Sequence, residues 1–389
     1  MKRMALVFLA VLVTFSAMAF AYKIGIVLDT GGRGDLSFND AAYAGVELAV
    51  KDFGLDGIVF AESKSAADYL PNLRAQAKQA DIELIVGVGF LLTDAVKTVA
   101  TEYPNKKFAY IDAIVPMSNV LSIVFKENDG SAVIGALAAM LAVEQNKPAA
   151  GVVFGIEGSV LYHFEGGFRF GMDWGLRKAQ AVKNLATTPR VKLLAPYTGS
   201  FSDIALGKTT MEAQLAAGVV GSYCVAGGLG IGMMQAIAQY HANAGTTSGA
   251  PYYFGVDQNQ DWFEKGQFGL MSMLKRVDLG AYRAVESVVN GTFAGGTTVA
   301  YGVKEGGVYT STAKDLVEAV EPRVAAGTIP AADKYAIYHN WAANRLTVPQ
   351  WIWDAVDELN AKILSGELVT PFCQTKTEIE AVRVQYPLN

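Results

Sequence analysis

The stretch that decides the fold is residues 23–50, KIGIVLDTGGRGDLSFNDAAYAGVELAV. It opens with an apolar run, residues 24–28, that ends at Asp29, and β-branched residues without polar alternation are typical of a buried parallel strand. A glycine-rich loop follows, and from Ser37 onward small apolar residues recur with helical spacing. The stretch therefore predicts a strand, a tight loop and a helix, which is the repeating unit of a doubly wound α/β sheet.

Phe38 lies where the predicted loop meets the predicted helix. Because α/β proteins bind ligands at the carboxyl edge of a parallel sheet, an aromatic ring there faces a crevice more readily than a core. Its neighbours Asp29, Asp35 and Asn39 are hydrogen-bonding groups that suit phosphate poorly. This combination predicts a neutral, planar, hydroxylated ligand.

Length and charge favour a two-lobed globular protein. The chain has 389 residues, which exceeds one ordinary core. Lys and Arg number 32 against 37 Asp and Glu, a formal charge of −5, and no basic block occurs. We therefore expect no nucleic-acid partner.

Residues 1–21 are typical of a secretory signal peptide. Lys2 and Arg3 precede an apolar run, and the AFA sequence at 19–21 fits the small-x-small cleavage rule. No later run reaches the roughly 20 apolar residues that a membrane span needs. We expect a periplasmic protein and, because no cysteine lies near the cleavage point, one that is not a lipoprotein.

Cysteines and histidines indicate neither a disulfide framework nor a metal site. Only Cys224 and Cys373 are present, and two distant cysteines do not predict a bond, so unpaired thiols are favoured. The histidines at 163, 241 and 339 are scattered and belong to no metal-binding motif. We expect no metal and no cofactor.

Apolar runs alternate with helical stretches through most of the chain. Strands are predicted at residues 24–28, 57–61, 82–87, 107–112, 120–125, 151–155, 191–195, 219–225, 252–256, 269–275 and 299–303. The alternation restarts after residues 126–128, which divides the chain into two halves of similar pattern. Residues 316–389 are predicted to be mostly helical, and we expect them to pack on the second half.

Polar, aromatic and glycine residues follow the ends of the predicted strands. They are Asp29, Gly89-Phe90, Asp112, Phe201, Gly227-Gly228, Asp257 and Lys275. In a two-lobed α/β protein these strand ends face one shared crevice. Phe38 and Phe201 could sandwich an aromatic base, since stacking is worth about 1–3 kcal/mol per base. Lys275 could donate to a ribose oxygen or neutralise a carboxylate, and Gly228 would let the backbone approach a ligand.

Enzyme motifs are incomplete. Gly228-x-Gly230-x-Gly232 has the wrong last spacing for a dinucleotide site, and the Gly-Lys-Thr at 207–209 lacks the leading glycine of a P-loop. No G-x-S-x-G nucleophile elbow occurs. Paired carboxylates leave open a secreted enzyme that acts on nucleosides or glycosides in the same crevice. A ligand-sensing partner of a membrane receptor also stays open.

Several motifs resemble those of the basic membrane protein family, whose best-understood members are purine nucleoside receptors. Between residues 22 and 303 they read, in the family's order, LDTGGRGDLSFNDAAYAG, VGVGF, YIDA, YTGSFSD, AGGLGIG, GVDQNQ and SMLKRVD. The resemblance implies a type I periplasmic-binding-protein fold, with two doubly wound α/β lobes, a hinge and a ligand cleft between them. It also implies the substrate-binding component of an ABC importer, a partner of a membrane permease and not an enzyme. We expect a monomer.

The resemblance also implies a role for each candidate residue. Contacts with the base would come from Phe38 and Phe201 by stacking, and from Asn39, Asp112 and Asp29 by hydrogen bonds. Contacts with ribose would come from Gly228, Asp257 and Lys275.

Two departures from the family pattern bear on these expectations. Many relatives are lipoproteins with a cysteine after the signal, and this chain has none there. The region after Gly306 is longer than the family pattern, which leaves open another ring ligand such as riboflavin. We expect residues 22–127 and 258–298 to form the first lobe, and residues 128–257 and 299–389 to form the second.

Overall fold

The computed structural model describes residues 22–388, so the predicted signal peptide at residues 1–21 lies outside the described residues. The strands in the described part of the chain are β1 Lys23–Leu28, β2 Ile58–Glu62, β3 Ile82–Val88, β4 Lys107–Ile111, β5 Val120–Phe125, β6 Ala149–Phe154, β7 Lys192–Leu194, β8 Val219–Val225, β9 Tyr252–Asp257, β10 Gly269–Lys275, β11 Thr298–Tyr301 and β12 Val308–Thr310. The sequence predicted each of them except β12, a three-residue strand too short to show a periodic pattern.

These strands form two sheets of six, one in each lobe. The first sheet has the order β11-β5-β4-β3-β1-β2 and is parallel throughout. The second has the order β12-β10-β9-β8-β6-β7 and is parallel except for β12, which pairs antiparallel with β10. The predicted class, two doubly wound α/β lobes, is confirmed, and in each sheet the parallel strands end at one edge.

Helices cover both sheets. Within residues 22–388 they are α1 Phe38–Phe53, α2 Tyr69–Ala77, α3 Thr93–Glu102, α4 Glu127–Glu144, α5 Ser159–Val182, α6 Ile204–Ala216, α7 Leu229–Ala244, α8 Val277–Val289, α9 Ala313–Ala325, α10 Lys334–Leu346, α11 Gln350–Ser365 and α12 Lys376–Gln385. None of these helices combines the length and the apolar character that crossing a membrane requires.

The chain crosses between the lobes three times, and the crossings differ from the lobe boundaries that we expected. After β5 it enters the second lobe, after β10 it returns so that α8 packs on α1, and after β11 it leaves again. Residues 269–275 therefore belong to the second sheet and Thr298–Tyr301 to the first, because β11 pairs with β5. Local sequence predicts that a strand exists, but its sheet depends on partners far along the chain.

The crossing segments are hydrogen-bonded to one another and form a hinge. The amide of Lys126 donates to the carbonyl of Tyr301 at 3.0 Å, and the amide of Arg276 donates to the carbonyl of Gly307 at 2.8 Å. Lys275 and Glu127 flank this hinge at the end of β10 and the start of α4.

Helices α4 and α5 form the centre of the second lobe. Gly167, Gly171 and Gly175 recur every fourth residue along the face of α5 that meets α4. A Cβ atom on Gly171 would lie 1.8 Å from the carbonyl oxygen of Ala132, so only glycine permits this approach. Gly167 faces Asn128 and Gly175 faces residue 136, so the helices run parallel, and the first turn of α4 lies beside α5 near Gly167.

The C-terminal region packs on the second lobe, as expected. Helices α11 and α12 pack on α4 and α5, and α10 packs beside β10. Arg383 on α12 holds Glu165 on α5 through two hydrogen bonds of 2.8 and 2.7 Å. Cys224 and Cys373 are buried free thiols.

Candidate ligand-binding site

A cleft lies between the carboxyl ends of the two sheets, with walls from both lobes. Its lining from the first lobe includes Asp29, Asp35, Phe38, Asn39, Phe90 and Asp112. Its lining from the second lobe includes Phe164, Phe201, Gly227, Asp257 and Lys275. Because open α/β sheets bind ligands at this edge, the cleft is the candidate site.

Most of the predicted ligand residues meet in this cleft. The seven that line it are Asp29, Phe38, Asn39, Asp112, Phe201, Asp257 and Lys275. Gly228 does not, since it precedes α7 and lines a neighbouring groove beside the 30–35 loop. Gly227 faces the cleft instead, and its φ of +53° turns the chain after β8 and carries the next residue away. The location predicted for Gly228 is therefore corrected to Gly227.

Sequence reasoning placed Asp35 and Phe90 at the crevice but gave neither a ligand role, and it did not single out Phe164 or Glu127. Phe90 packs edge-on against Phe201, with ring centroids 6.3 Å apart and ring planes at 84°. Asp35 and Phe90 lie in loops that follow strands, the position from which the sequence analysis expected crevice residues. Phe164 and Glu127 lie on α5 and α4, and they reach the site only because of how these helices pack.

The amide of Asn39 is held in one orientation by two carboxylates. Its Nδ2 donates to Asp29 Oδ1 at 3.0 Å and to Asp35 Oδ2 at 3.3 Å. Asp35 also accepts the backbone N–H groups of Ser37 and Asn39 and so caps α1. The Oδ1 atom of Asn39 is buried and has no partner within residues 22–388. The amide is thus left as an acceptor for a ligand.

Lys275 is a buried cation at the centre of the cleft. Its Nζ lies 2.6 Å from Asp112 Oδ2 and 2.9 Å from Glu127 Oε1. The rings of Phe38 and Phe164 lie 5.0 and 5.8 Å from the ammonium, within the range of cation–π attraction. The second carboxylate oxygen of Asp112 is buried without a hydrogen-bond partner among the described residues.

Asp112 and Asp257 adopt similar strained backbones at the ends of their strands. Asp112 directly follows β4 with a φ of 76°, and Asp257 ends β9 with a φ of 64°. A left-handed backbone is uncommon outside glycine, and such strain clusters at ligand sites. Each lobe thus places a carboxylate in the cleft through an aspartate with a left-handed backbone at the end of a strand.

Burial shifts the pKa values of the ionisable side chains in the cleft. It raises the pKa of Asp35 to about 7 and also raises the pKa values of Asp29 and Asp257. It raises the pKa of Asp112 too, against the opposing effect of Lys275. Burial alone would lower the pKa of Lys275, but the surrounding carboxylates outweigh it and raise that pKa. A cleft with several carboxyl groups around one ammonium disfavours anionic ligands such as phosphate esters.

The lobes are closed over the cleft. Ser37 Oγ, from the first lobe, donates to Asp257 Oδ2 at 2.6 Å. Gln258 Nε2 donates to the carbonyl of Ser37 at 2.8 Å, and Gln260 Nε2 donates to that of Leu36 at 3.0 Å. These hydrogen bonds therefore hold the 33–37 loop of the first lobe against the end of β9 in the second. The cleft is closed, aromatic and rich in hydrogen-bond acceptors, which suits a ring-shaped ligand with several donors. Within residues 22–388, no group of three or more residues suited to a metal ion occurs.

Known proteins resemble the whole chain in sequence and fold. A protein named as an uncharacterized lipoprotein of Pyrococcus abyssi is 34% identical over 363 residues, 92% of this chain and 86% of the relative. The ABC transporter nucleoside-binding protein BmpA of Lactococcus lactis is 32% identical over 330 residues, 80% of this chain and 89% of the relative. The crystal structure of an ABC transporter solute-binding protein from Aeropyrum pernix matches with a TM-score of 0.83 and 31% identity, covering 94% of this chain and 99% of that one.

One expectation is overturned by these relatives. We expected a protein that is not a lipoprotein, because no cysteine lies near the predicted cleavage point. The P. abyssi relative carries the name lipoprotein, and so do similar proteins of P. horikoshii and P. furiosus. The expectation is therefore wrong. The absence of a cysteine near the predicted cleavage point was not a sufficient reason for it.

A family model identifies the class of protein. The model for PnrA-like substrate-binding proteins of ABC transporters matches residues 23–326, which include both sheets. The expected resemblance to basic membrane proteins and the periplasmic-binding fold are confirmed. Proteins of this family are solute-binding proteins that present a small molecule to a membrane permease, not enzymes. The chain belongs to the PnrA-like family of ABC transporter substrate-binding proteins.

Proposed function

We propose that this protein binds a purine nucleoside in the closed cleft, as a monomer, and delivers it to the permease of an ABC importer. The observation that carries the proposal is that two buried acceptors in the cleft, Asn39 Oδ1 and Asp112 Oδ1, have no hydrogen-bond partner within residues 22–388. Buried polar atoms are nearly always hydrogen-bonded, so these two call for donors from a ligand. Purine nucleosides supply such donors from both the base and the ribose.

Two aromatic rings support a planar ligand. Phe38 lines the cleft from the first lobe and Phe201 lines it from the second, where Phe90 packs against its edge. A base stacked by both rings would gain about 1–3 kcal/mol from each. Because the rings come from different lobes, such a ligand would bind the closed form better than the open form, which is the requirement for ligand-driven closure.

The carboxylates support a neutral ligand with hydroxyl groups. One carboxylate oxygen of Asp257 accepts a hydrogen bond from Ser37, and the other is left to accept from a ligand. Lys275 supplies a donor in the same cleft. A ribose ring offers hydroxyls that can both donate and accept. The printed name of the L. lactis relative, a nucleoside-binding protein, points to the same ligand class.

The test is calorimetric titration of protein that has been unfolded and refolded to remove any bound ligand. Guanosine, inosine, adenosine, cytidine and riboflavin are compared. Binding of a purine nucleoside with much weaker binding of cytidine would support the proposal. Binding of riboflavin alone would contradict the ligand and keep the transport class. Recovery of a nucleoside in cleaved form after incubation would contradict a binding-only role.

A further inference from the structure

The ammonium of Lys275 has a donor to spare. Its Nζ carries three N–H groups, and two of them meet Asp112 and Glu127. No third acceptor lies within hydrogen-bonding distance in the described part of the chain. The direction of the remaining N–H therefore depends on how firmly the two carboxylates are held.

Glu127 is held from behind by a histidine. Its Oε2 accepts a hydrogen bond from His163 Nδ1 at 2.9 Å, while its Oε1 meets Lys275. Both side chains are more than nine-tenths buried. His163 in turn stacks on Phe372, with ring centroids 3.9 Å apart and planes at 22°. A continuous line of contacts therefore runs from the cleft to the segment between α11 and α12.

That segment, residues 366–375, is fixed to the start of α4. Thr370 Oγ1 accepts from Asn128 Nδ2 at 2.6 Å and donates to Asp129 Oδ1 at 2.6 Å. The same helix turn carries Glu127. With a third bond, from Asn128 Nδ2 to the carbonyl of Thr370 at 3.2 Å, the segment holds the first turn of α4 by three hydrogen bonds. Through Phe372 it also contacts the histidine that bonds Glu127.

We propose that His163 and Phe372 are positioning residues of the ligand site, which hold Glu127 so that Lys275 directs its free N–H into the cleft. The inference gives the C-terminal region a part in ligand recognition and rests on the proposed binding of a nucleoside. Lys275 is the donor that we assign to ribose, so loss of this support should affect ribosides more than free bases.

The binding experiment uses matched histidine variants of the full chain. His163→Phe keeps a ring against Phe372 and removes the donor to Glu127, whereas His163→Asn keeps a donor near the position of Nδ1. His241→Phe is the control, because His241 is also buried, stacks on Phe268 at 4.3 Å and lies away from the cleft. Affinities for inosine and hypoxanthine are measured for each by calorimetry.

We expect His163→Phe to weaken inosine binding about tenfold, the effect of one hydrogen bond to a charged group. The affinity for hypoxanthine should change less than about threefold, because we assign Lys275 to the ribose, which hypoxanthine lacks. His163→Asn should recover most of the loss, Phe372→Leu should show a weaker form of it, and His241→Phe should show none. Equal losses for inosine and hypoxanthine, or no loss in His163→Phe, would overturn the proposal.

A second measurement needs no ligand and separates this inference from the proposed function. The buried ammonium of Lys275 exchanges its protons slowly and should give an observable ¹⁵N NMR signal. His163→Phe and Phe372→Leu should shift or broaden that signal, whereas His241→Phe should leave it unchanged. If the Lys275 signal is unchanged in both His163→Phe and Phe372→Leu, the positioning role of His163 and Phe372 is overturned. Failure of the wild-type protein to bind any nucleoside would instead overturn the proposed function, and the NMR result would still decide the positioning.

Discussion

Two buried carboxylates in this molecule have similar burial but opposite hydrogen bonding. Asp261 lies in the second lobe and accepts from Ser272 Oγ at 2.6 Å, Ser311 Oγ at 2.7 Å and Trp341 Nε1 at 3.2 Å. Asp112 lies at the cleft, with one oxygen on Lys275 and the other without a partner among residues 22–388. The acceptors of Asp261 are used within the fold, whereas Asp112 keeps one acceptor, which on the proposed function would accept from the ligand.

A large effect on stability is expected at Asp261. Asp261→Ala would remove the acceptor of four side-chain donors where β10, the β12 loop and α10 meet, the fourth being Asn259 Nδ2 at 3.4 Å. We expect a loss of about 3 kcal/mol or more in the free energy of unfolding, since each unpaired buried group costs about 1–3 kcal/mol. Urea unfolding of the apo protein measures this. A loss below about 1 kcal/mol would show that the cluster is not structural.

Asp112→Asn should weaken ligand binding and destabilise the fold less than Asp261→Ala does. The variant keeps the shape of the side chain but removes the charge that faces Lys275 and one acceptor. Nucleoside affinity should fall by about 1.5–3 kcal/mol, the value of a hydrogen bond to a charged group. Stability should fall less than in Asp261→Ala, because Glu127 still pairs with Lys275. If Asp112→Asn destabilises the apo protein as much as Asp261→Ala does, the contrast between the two carboxylates fails.

The same contrast extends to two phenylalanines near Lys275. Phe38 is half-buried at the cleft, and Phe125 is fully buried with its ring 5.2 Å from the ammonium. Phe38→Ala should weaken nucleoside binding by about 1–3 kcal/mol and leave the apo melting temperature nearly unchanged. Phe125→Ala should cost about 3–5 kcal/mol of stability. Calorimetric titration and thermal melting of both variants test the pair, and unfolding of apo Phe38→Ala would make that ring part of the core.

The last expected effect concerns pH. Burial raises the pKa of Asp35 to about 7, so between about pH 4 and 7 the folded state binds more protons than the unfolded state. The free energy of unfolding should therefore fall as pH rises through this window. One such proton contributes a slope of at most about 1.4 kcal/mol per pH unit.

Asp35→Asn isolates this contribution. The buried Asp29 and the neighbouring Asp40 also face the 35–39 turn, so the wild-type slope is a sum and only the difference reports Asp35. Urea unfolding of both proteins at pH 4, 5.5 and 7 should give a flatter dependence for the variant. Parallel curves would mean that Asp35 is ionised throughout, with its three backbone hydrogen bonds outweighing burial.

Much of the site was predictable because it lies on strand ends. Asp29, Asp112 and Asp257 each follow an apolar run, and a parallel sheet brings such positions to one edge. Gly228 was misplaced by one residue because the turn at Gly227 depends on a backbone angle that sequence spacing does not reveal. Glu127 and Phe164 were missed because residues on helices reach the cleft only through the parallel packing of α4 against α5.

The sequence by itself determined that this is a two-lobed α/β protein, all of its described strands except β12, and which family it belongs to, because these depend on local periodicity and short motifs. Only the tertiary structure decided which sheet receives β10 and β11, since strand partners lie far apart along the chain. It also decided which buried polar groups are satisfied. Asp112 and Asp261 both lie just beyond a strand in the sequence, and only the positions of their hydrogen-bond partners distinguish the proposed ligand contact from the structural carboxylate.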